Sequence, residues 1–589
     1  MGARLKLTQD QQSAVSHPTH LSLVSCPGSG KTRTLIAKIV EILPEVTSST
    51  RLVGCITYTN AAVNEIESRL SGLGFREGYS CEVETIHSFC LKHILVPYAW
   101  HIKAFSNGFE ILACDDQRFE GIVTHILKKY KLPGRARGQF ENLYRGSGQL
   151  PEDISEEAAK EYWAVLDKNN LVDLNGIIYW SARLVLKIGH IARGLASRYQ
   201  WLLVDEFQDT TVMQVEILRA INRYKRTKFF IVGDPFQSIM SGFGARPDLM
   251  NEFGAEVSAR TDIELLENFR SSEKILKLAD KLCPRSERMK ASGEYAGFSR
   301  RPEWYAVPDM SFGILNIFLP AVQEHGISLS QVGILANRWT SHPPLARALR
   351  ENKTPVIGPG ARPYRRGSSL IAKLLEEVSA CALSPTIGSF STVRREVSTL
   401  LRELPVSRQS DLGFQGDVTV VRILRHAKAI AGSKKSAIEF IAEFTTHLAE
   451  TLIESELILE TDICKLKAAS DQMITEIQNH ERSHGSRGTT VQDLGLFARG
   501  SEAVRLLTMH SSKGREFEAV ALIDVFDGHV PFYKCKPGDE IEAEGRRLLY
   551  VAITRAKKLL MLFTLKNPDI RTKPSRFLKE IFPAGPSIR

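Results

Sequence analysis

The chain has 589 residues, more than one hydrophobic core can hold, so three or four domains are expected. With 43% apolar and 24% charged residues and no low-complexity block, its composition excludes a disordered or fibrous protein. Basic residues number 77 against 67 acidic, a net charge of +10, and this mild excess favours a polyanionic partner such as nucleic acid.

The nine cysteines stand singly at positions 26, 55, 81, 90, 114, 283, 381, 464 and 535. Without a CxxC pair, neither zinc nor an iron–sulfur cluster has its usual local spacing, and reduced thiols are expected. The start, MGARLKLTQDQQSAV, lacks the apolar core of a signal peptide, and no uncharged apolar run approaches about 18 residues. These features predict a soluble, cytoplasmic protein with no membrane partner.

The first predicted strand, Leu21 to Val24, runs into SCPGSGKT (25–32). Gly28, Ser29 and Gly30 form a permissive turn, and Thr32 opens an amphipathic helix with Leu35, Ile36, Ile39 and Val40 on its apolar face. A strand, a small-residue turn and a following helix are what a phosphate-binding loop needs, because backbone N–H groups must face the phosphates. Ser25, Cys26, Pro27, Gly28, Ser29, Gly30, Lys31, Thr32 and Arg33 are therefore the candidate ATP cradle. Lys31 would reach the β and γ phosphates and the Thr32 hydroxyl would ligate Mg²⁺. The glycine expected six places before the lysine is instead Ser25, small enough to be tolerated.

In WLLVDEFQDT, a predicted strand from Trp201 to Val204 ends in Asp205 and Glu206. Asp205 would hold Mg²⁺ and Glu206 would polarise the attacking water. A third strand, FFIVGDPFQS, brings Asp234 and Gln237 to the same sheet edge. Polar residues at the C-terminal ends of parallel strands fit an open α/β sheet that binds its ligand at that edge, and ATP hydrolysis is the better reading.

These segments, with others in the same order, resemble the UvrD/Rep/PcrA-like helicases of superfamily 1. LTQDQQSAV looks like the family's Q motif, with Gln11 as the adenine reader. ITYTNAAVNEIESRL (56–70) and TIHSF (85–89) resemble its strand-tracking motifs, VDEFQDTTVMQ its motif II and VGDPFQSI its motif III. LLENFRSSEKIL (265–276), LLTMHSSKGREFEAV (506–520) and RRLLYVAITRAKKLL (546–560) resemble motifs IV, V and VI.

The resemblance implies that Phe269 stacks on adenine and Glu516 faces the nucleotide. It also implies that Arg270 and Arg555 meet the γ-phosphate from the opposite lobe and that Gln237 senses it. Arginine suits such a role because its planar fork stays charged. Tyr58, Thr59, Asn60, Thr85, His87, Thr508 and His510 are the implied DNA contacts. After motif III the family's QSIYGWRGA becomes QSIMSGFGA, with Met240 and Gly242 at the aromatic positions and Phe243 one place late. Losing a base-stacking platform, worth roughly 1–3 kcal/mol per base, would weaken strand grip unless Phe243 compensates.

The implied fold is α/β: two RecA-like P-loop NTPase lobes, each interrupted by a mainly helical insertion. The first lobe takes 1–90 and 191–266 around an insertion at 91–190. The second takes 267–360 and 501–589 around an insertion at 361–500. The first insertion carries a basic stretch, KKYKLPGRARGQ (128–139), read equally as a nucleic-acid contact or a solvated loop. SAIEFIAEFTTHLAETLIESEL (436–457) reads as packed helix, and HERSHGSRGTT (480–490) as a mobile loop before the return strand. Only 34 residues follow Arg555, so a nuclease domain is not expected there.

The leading expectation is an ATP-dependent helicase or translocase that binds single-stranded and tailed duplex DNA. ATP hydrolysis between the lobes would drive stepping, with 3′-to-5′ polarity taken from the family alone. A second reading is a DNA-sensing regulatory ATPase that activates a separate nuclease subunit, as in bacterial antiviral defence. An RNA helicase is the weakest, because no 2′-OH-reading module is recognisable.

Overall fold

Apolar runs bounded by glycine, proline and polar turns become two parallel sheets, each flanked by helices. The computed structural model describes residues 6–46, 51–75, 80–114, 116–146, 150–364, 370–386, 388–404, 414–433, 436–484, 488–500, 502–533 and 535–589. The chain divides into two compact units, Met1–Ser299 with Lys534–Thr554, and Arg300–Tyr533 with Arg555–Arg589.

The first unit is built on β1 (Leu21–Ser25), β2 (Leu52–Thr57), β3 (Cys81–Thr85), β4 (Tyr199–Val204), β5 (Lys228–Gly233) and β6 (Glu264–Leu265). They pair in the order β3-β2-β4-β5-β1-β6, all parallel. β1 therefore sits beside β5, one strand from β4, and the phosphate loop and both acidic strand ends share one sheet edge. The strands are apolar because both faces are covered: Leu21, Leu23, Trp201, Leu203, Phe230 and Val232 are fully buried.

Helices α1 (Gln9–Ser16), α2 (Lys31–Ile42), α3 (Asn60–Gly72) and α4 (Ile86–Cys90) follow from the motif segments. α4 continues through a π-helical turn, Leu91–Leu95, into Val96–Tyr98. Next come α5 (Gln117–Lys129), α6 (Glu156–Lys168), α7 (Leu174–Lys187), α8 (Gly189–Arg198), α9 (Val212–Asn222) and α10 (Glu273–Leu282). Residues 91–190 are mainly helical, with a small core of their own that includes Phe119, Val123, Phe140 and Tyr162.

The second unit carries β7 (Glu303–Val307), β8 (Val332–Ala336), β9 (Val356–Ile357), β10 (Val504–Thr508), β11 (Phe517–Ile523), β12 (Ala556–Leu565) and β13 (Ser587–Ile588). Their order is β9-β10-β8-β11-β12-β7-β13, again all parallel. Between β9 and β10 lie α11 (Ala372–Leu383), α12 (Ser389–Glu403), α13 (Phe414–Ser433), α14 (Ala437–Glu454), α15 (Glu460–His484) and α16 (Val491–Arg499).

In α14, Phe440, Ile441, Phe444, Leu448 and Leu452 line the buried face, as the 436–457 pattern predicts. The 480–490 stretch departs from the loop expected of it. Helix α15 runs on to His484, residues 485–487 lie outside the described residues, and α16 intervenes before β10.

The compact units also differ from the sequence boundaries. The first extends past 266 to Ser299 and takes in α17 (Glu540–Ile553). Buried polar bonds explain this: within that unit, Arg285 reaches both Asp234 and Tyr550, and Asn268 holds Pro27.

Candidate active site

Gly28 and Gly30 have φ of +67° and +79°, left-handed values that favour glycine. Space also demands glycine at both. A Cβ on Gly28 would stand 2.6 Å from Arg270 Cβ, and one on Gly30 2.8 Å from Gln11 Nε2. Gly30 is the N-cap of α2 and offers it no capping side chain, so the positive end of that helix remains for an anion. Ser29 Oγ is buried without a hydrogen-bond partner among the described residues. Thr32 is half-buried and Arg33 exposed.

Ser25 does not replace glycine at a conformation that needs it. It ends β1, is fully buried, and its hydroxyl donates to the Gly233 carbonyl at 3.0 Å. Cys26 is buried beside it, and burial above all pushes its thiol up to about 12, so it remains protonated. Pro27 receives the Asn268 amide, Phe269 N–H donates to the Gly28 carbonyl at 2.9 Å, and Asn268 Oδ1 accepts from Arg270 N–H and Ser271 N–H. Motif IV is thus fastened to the phosphate loop through backbone, with the Phe269 ring 38% exposed beside it. An aromatic ring open on one face can stack on a planar base.

Gln11 closes a capping box with Thr8 and donates to the Ser29 carbonyl at 2.9 Å. Its amide therefore braces the loop. Arg270 stands in the same compact unit as the loop, not in an opposite one, and donates to the Thr554 carbonyl at 3.3 Å. Arg555 lies in the second unit, 1% exposed, and donates to the Arg515 carbonyl at 3.2 Å. Glu516 is exposed there and pairs with Lys557 at 2.7 Å.

Lys31 Nζ is 3.4 Å from Glu206. Burial works to lower its pKa, but Glu206, Asp234 and Asp205 outweigh it and hold the ammonium charged. Burial first, then the Glu206 carboxylate, push Asp205 up to about 7. Glu206 adopts φ +50°, ψ +42°, a left-handed conformation uncommon for glutamate. That turn aims its carboxylate at Lys31, and its own N–H donates to Asp205 Oδ1 at 2.9 Å. Thr32 and Asp205 supply oxygen donors, the ligand type that Mg²⁺ takes.

Gln237 donates to Asp234 Oδ2 at 2.7 Å, and Asp234 Oδ1 accepts from Arg285 at 2.7 Å. Arg285 also donates to Tyr550 Oη at 3.0 Å and to the Ser25 carbonyl at 3.4 Å. The sequence reading missed Arg285, one of two arginines in PRSER (284–288), a segment without a pattern. Asn268 was given no role either, although it stands immediately before Phe269 in NFRSS.

The implied DNA contacts divide. Thr59 and Thr85 hydroxyls cap α3 and α4, and Thr508 Oγ1 bonds Ser511 Oγ at 2.9 Å. These hydroxyls are already used in turns, while Asn60 is exposed and Tyr58 half-buried. Burial lowers the pKa of His87; burial, then Lys513, lowers that of His510, so both are neutral near pH 7. The Phe243 side chain lies outside the described residues. Beside it, Ser241 N–H donates to Glu544 Oε1 at 3.0 Å and Arg547 Nε to the Ser238 carbonyl at 2.6 Å, which ties QSIMSGFGA to α17.

A parallel α/β sheet, a phosphate loop and two acidic strand ends define a P-loop NTPase of the RecA-like class. Residues 7–258 match the UvrD/REP helicase N-terminal domain and residues 371–567 the UvrD-like helicase C-terminal domain. The chain belongs to the UvrD/REP helicase family. It is 25% identical to an ATP-dependent DNA helicase PcrA of Staphylococcus epidermidis, covering 99% of this chain and 87% of that protein. It is 27% identical to DNA helicase II of Salmonella typhimurium and 26% to that of Escherichia coli, covering 98% of this chain and 87% of each.

Proposed function

We propose that the chain is an ATP-dependent DNA helicase or translocase that steps along single-stranded DNA, from 3′ to 5′. The observation that carries this reading is Lys31 facing Glu206 across a glycine cradle whose sheet edge also holds Asp205 and Gln237. Full-length similarity to proteins named as DNA helicases supplies the substrate.

In this reading Lys31 holds the β and γ phosphates, and Thr32 and Asp205 hold Mg²⁺, which when bound neutralises charge on the phosphates. Glu206 orients and deprotonates the attacking water, and its strained turn fixes the carboxylate beforehand. Phe269 stacks the adenine. Arg270 and Arg555 stabilise charge on the departing phosphate, and Gln237 reports its loss.

The test is steady-state ATPase activity with no nucleic acid, single-stranded DNA, duplex DNA or single-stranded RNA, with Lys31→Ala as blank. Unwinding of duplexes with 3′ or 5′ tails follows. Stimulation by single-stranded DNA with opening of 3′-tailed duplexes is expected. Turnover without unwinding of either duplex would favour a regulatory ATPase, and turnover undiminished in Lys31→Ala would sink the site assignment.

A further inference from the structure

The basic stretch 128–139 is largely neutralised. Lys129 pairs with Glu161, Arg135 with Asp153 and Arg137 with Glu120. Arg118, Arg145 and Lys160 in the same insertion are also paired. Lys103, Lys168, Arg183 and Lys187 are not: none makes an ion pair among the described residues, and all four are exposed. Of the remaining unpaired lysines there, Lys128 and Lys131 lie elsewhere, whereas these four line one cleft of about 960 Å³.

Trp180 and Leu184 give the cleft an apolar floor. The carboxylate on its wall, Asp167, is bound by Arg145 at 2.8 Å and leaves the four cations unopposed. Lys168 and Lys187 end α6 and α7, where a cation also suits the helix dipole. That role does not explain Lys103 or Arg183, which arrive from a short 3₁₀ turn and from a middle turn of α7. Four like charges converging on one concavity repel one another, an arrangement stabilised by an anionic occupant.

We propose that this cleft binds the phosphodiester backbone of single-stranded DNA, as an auxiliary site beyond the motif residues. The helical run Ile86–Tyr98 separates Thr85 from the cleft-lining segment after Tyr98, a distance of roughly 20 Å at 1.5 Å per residue. A long strand spans both; an oligonucleotide of a few nucleotides does not. The proposal rests on the nucleic-acid reading above but not on hydrolysis or polarity.

The experiment compares the full chain with a variant carrying Lys103→Gln, Lys168→Gln, Arg183→Gln and Lys187→Gln, all at exposed positions. A labelled 40-nucleotide strand and a short oligonucleotide are titrated over a range of salt. Each single-strand phosphate contact contributes about 0.7 to the slope of log K against log salt. The long strand should therefore lose about 2–3 from its slope and bind at least about tenfold more weakly at low salt. The short one should be unchanged, and swapping each Lys for Arg and Arg183 for Lys should keep the wild-type slope. An unchanged slope for the long strand, or an equal loss for both, would overturn the site. Stimulation of ATPase by the short oligonucleotide reports the proposed motor separately, so either idea can fail alone.

Discussion

The Arg285 guanidinium stands 2.7 Å from Asp234 Oδ1, and both side chains are almost wholly buried. Burial pulls the arginine pKa down, but Asp234 and Tyr550 more than compensate and keep it charged. Since Asp234 also receives Gln237, one guanidinium links the Ser25 carbonyl, the turn after β5 that bears Gln237 and helix α17.

Breaking a buried pair on one side leaves a charge without compensation, at a cost of about 3–5 kcal/mol. Arg285→Met should lower stability by that order and cut ATP turnover, because Asp234, which holds Gln237, loses the guanidinium that fixes it. Adding Asp234→Asn should recover much of the stability but little of the turnover. Chemical denaturation beside ATPase assays checks both, and full recovery of turnover in the double variant would mean the pair is only structural.

Ser25 gives the opposite expectation. Its hydroxyl bonds a neighbouring strand rather than facing the cradle, so Ser25→Gly should cost about 1–2 kcal/mol from one hydrogen bond and added chain entropy. ATP turnover should stay within about twofold. A large loss of turnover with little change in melting temperature would place the hydroxyl on the nucleotide after all.

The phosphate loop and its carboxylates were legible because each carries its reason locally, glycines at a turn and carboxylates at strand ends, whereas Phe269 entered only through the family resemblance. Arg285, Glu544 and Arg547 were not legible, since each acts on a partner 51 to more than 300 residues away. The same holds for charge. The run 128–139 looks basic in one dimension, yet its neutralising carboxylates come from 120, 153 and 161. The unopposed cations are spread over 103–187 and meet only in the fold.

Asp205 makes the site pH-dependent. An unfolded aspartate titrates near 3.9, and burial with Glu206 beside it raises the folded value to about 7. The folded chain thus holds more protons between about pH 4 and 7. This group's stabilisation is complete below that window and is lost as pH rises through 7. Mg²⁺ requires the ionised form, so its apparent affinity should fall by up to about tenfold per pH unit below 7. Asp205→Asn should flatten the metal-free melting profile across this window; an unaltered profile would show that Asp205 is already ionised.

Glu206 separates binding from chemistry most cleanly. Its carboxylate forms an ion pair with Lys31, and its backbone is held left-handed by the turn after β4. Glu206→Gln keeps size and hydrogen-bonding capacity while removing the base, so turnover should fall by roughly 10²–10⁴. ATP binding should be retained or tighten, because Lys31 no longer shares its charge with a carboxylate. Glu206→Gly should relieve the backbone strain and raise stability by up to about 1 kcal/mol, with turnover equally lost. Equilibrium nucleotide binding, melting temperature and single-turnover hydrolysis on the two variants resolve the three effects. A glutamine variant that hydrolyses at the wild-type rate would remove Glu206 from the chemistry and leave it a partner of Lys31 alone.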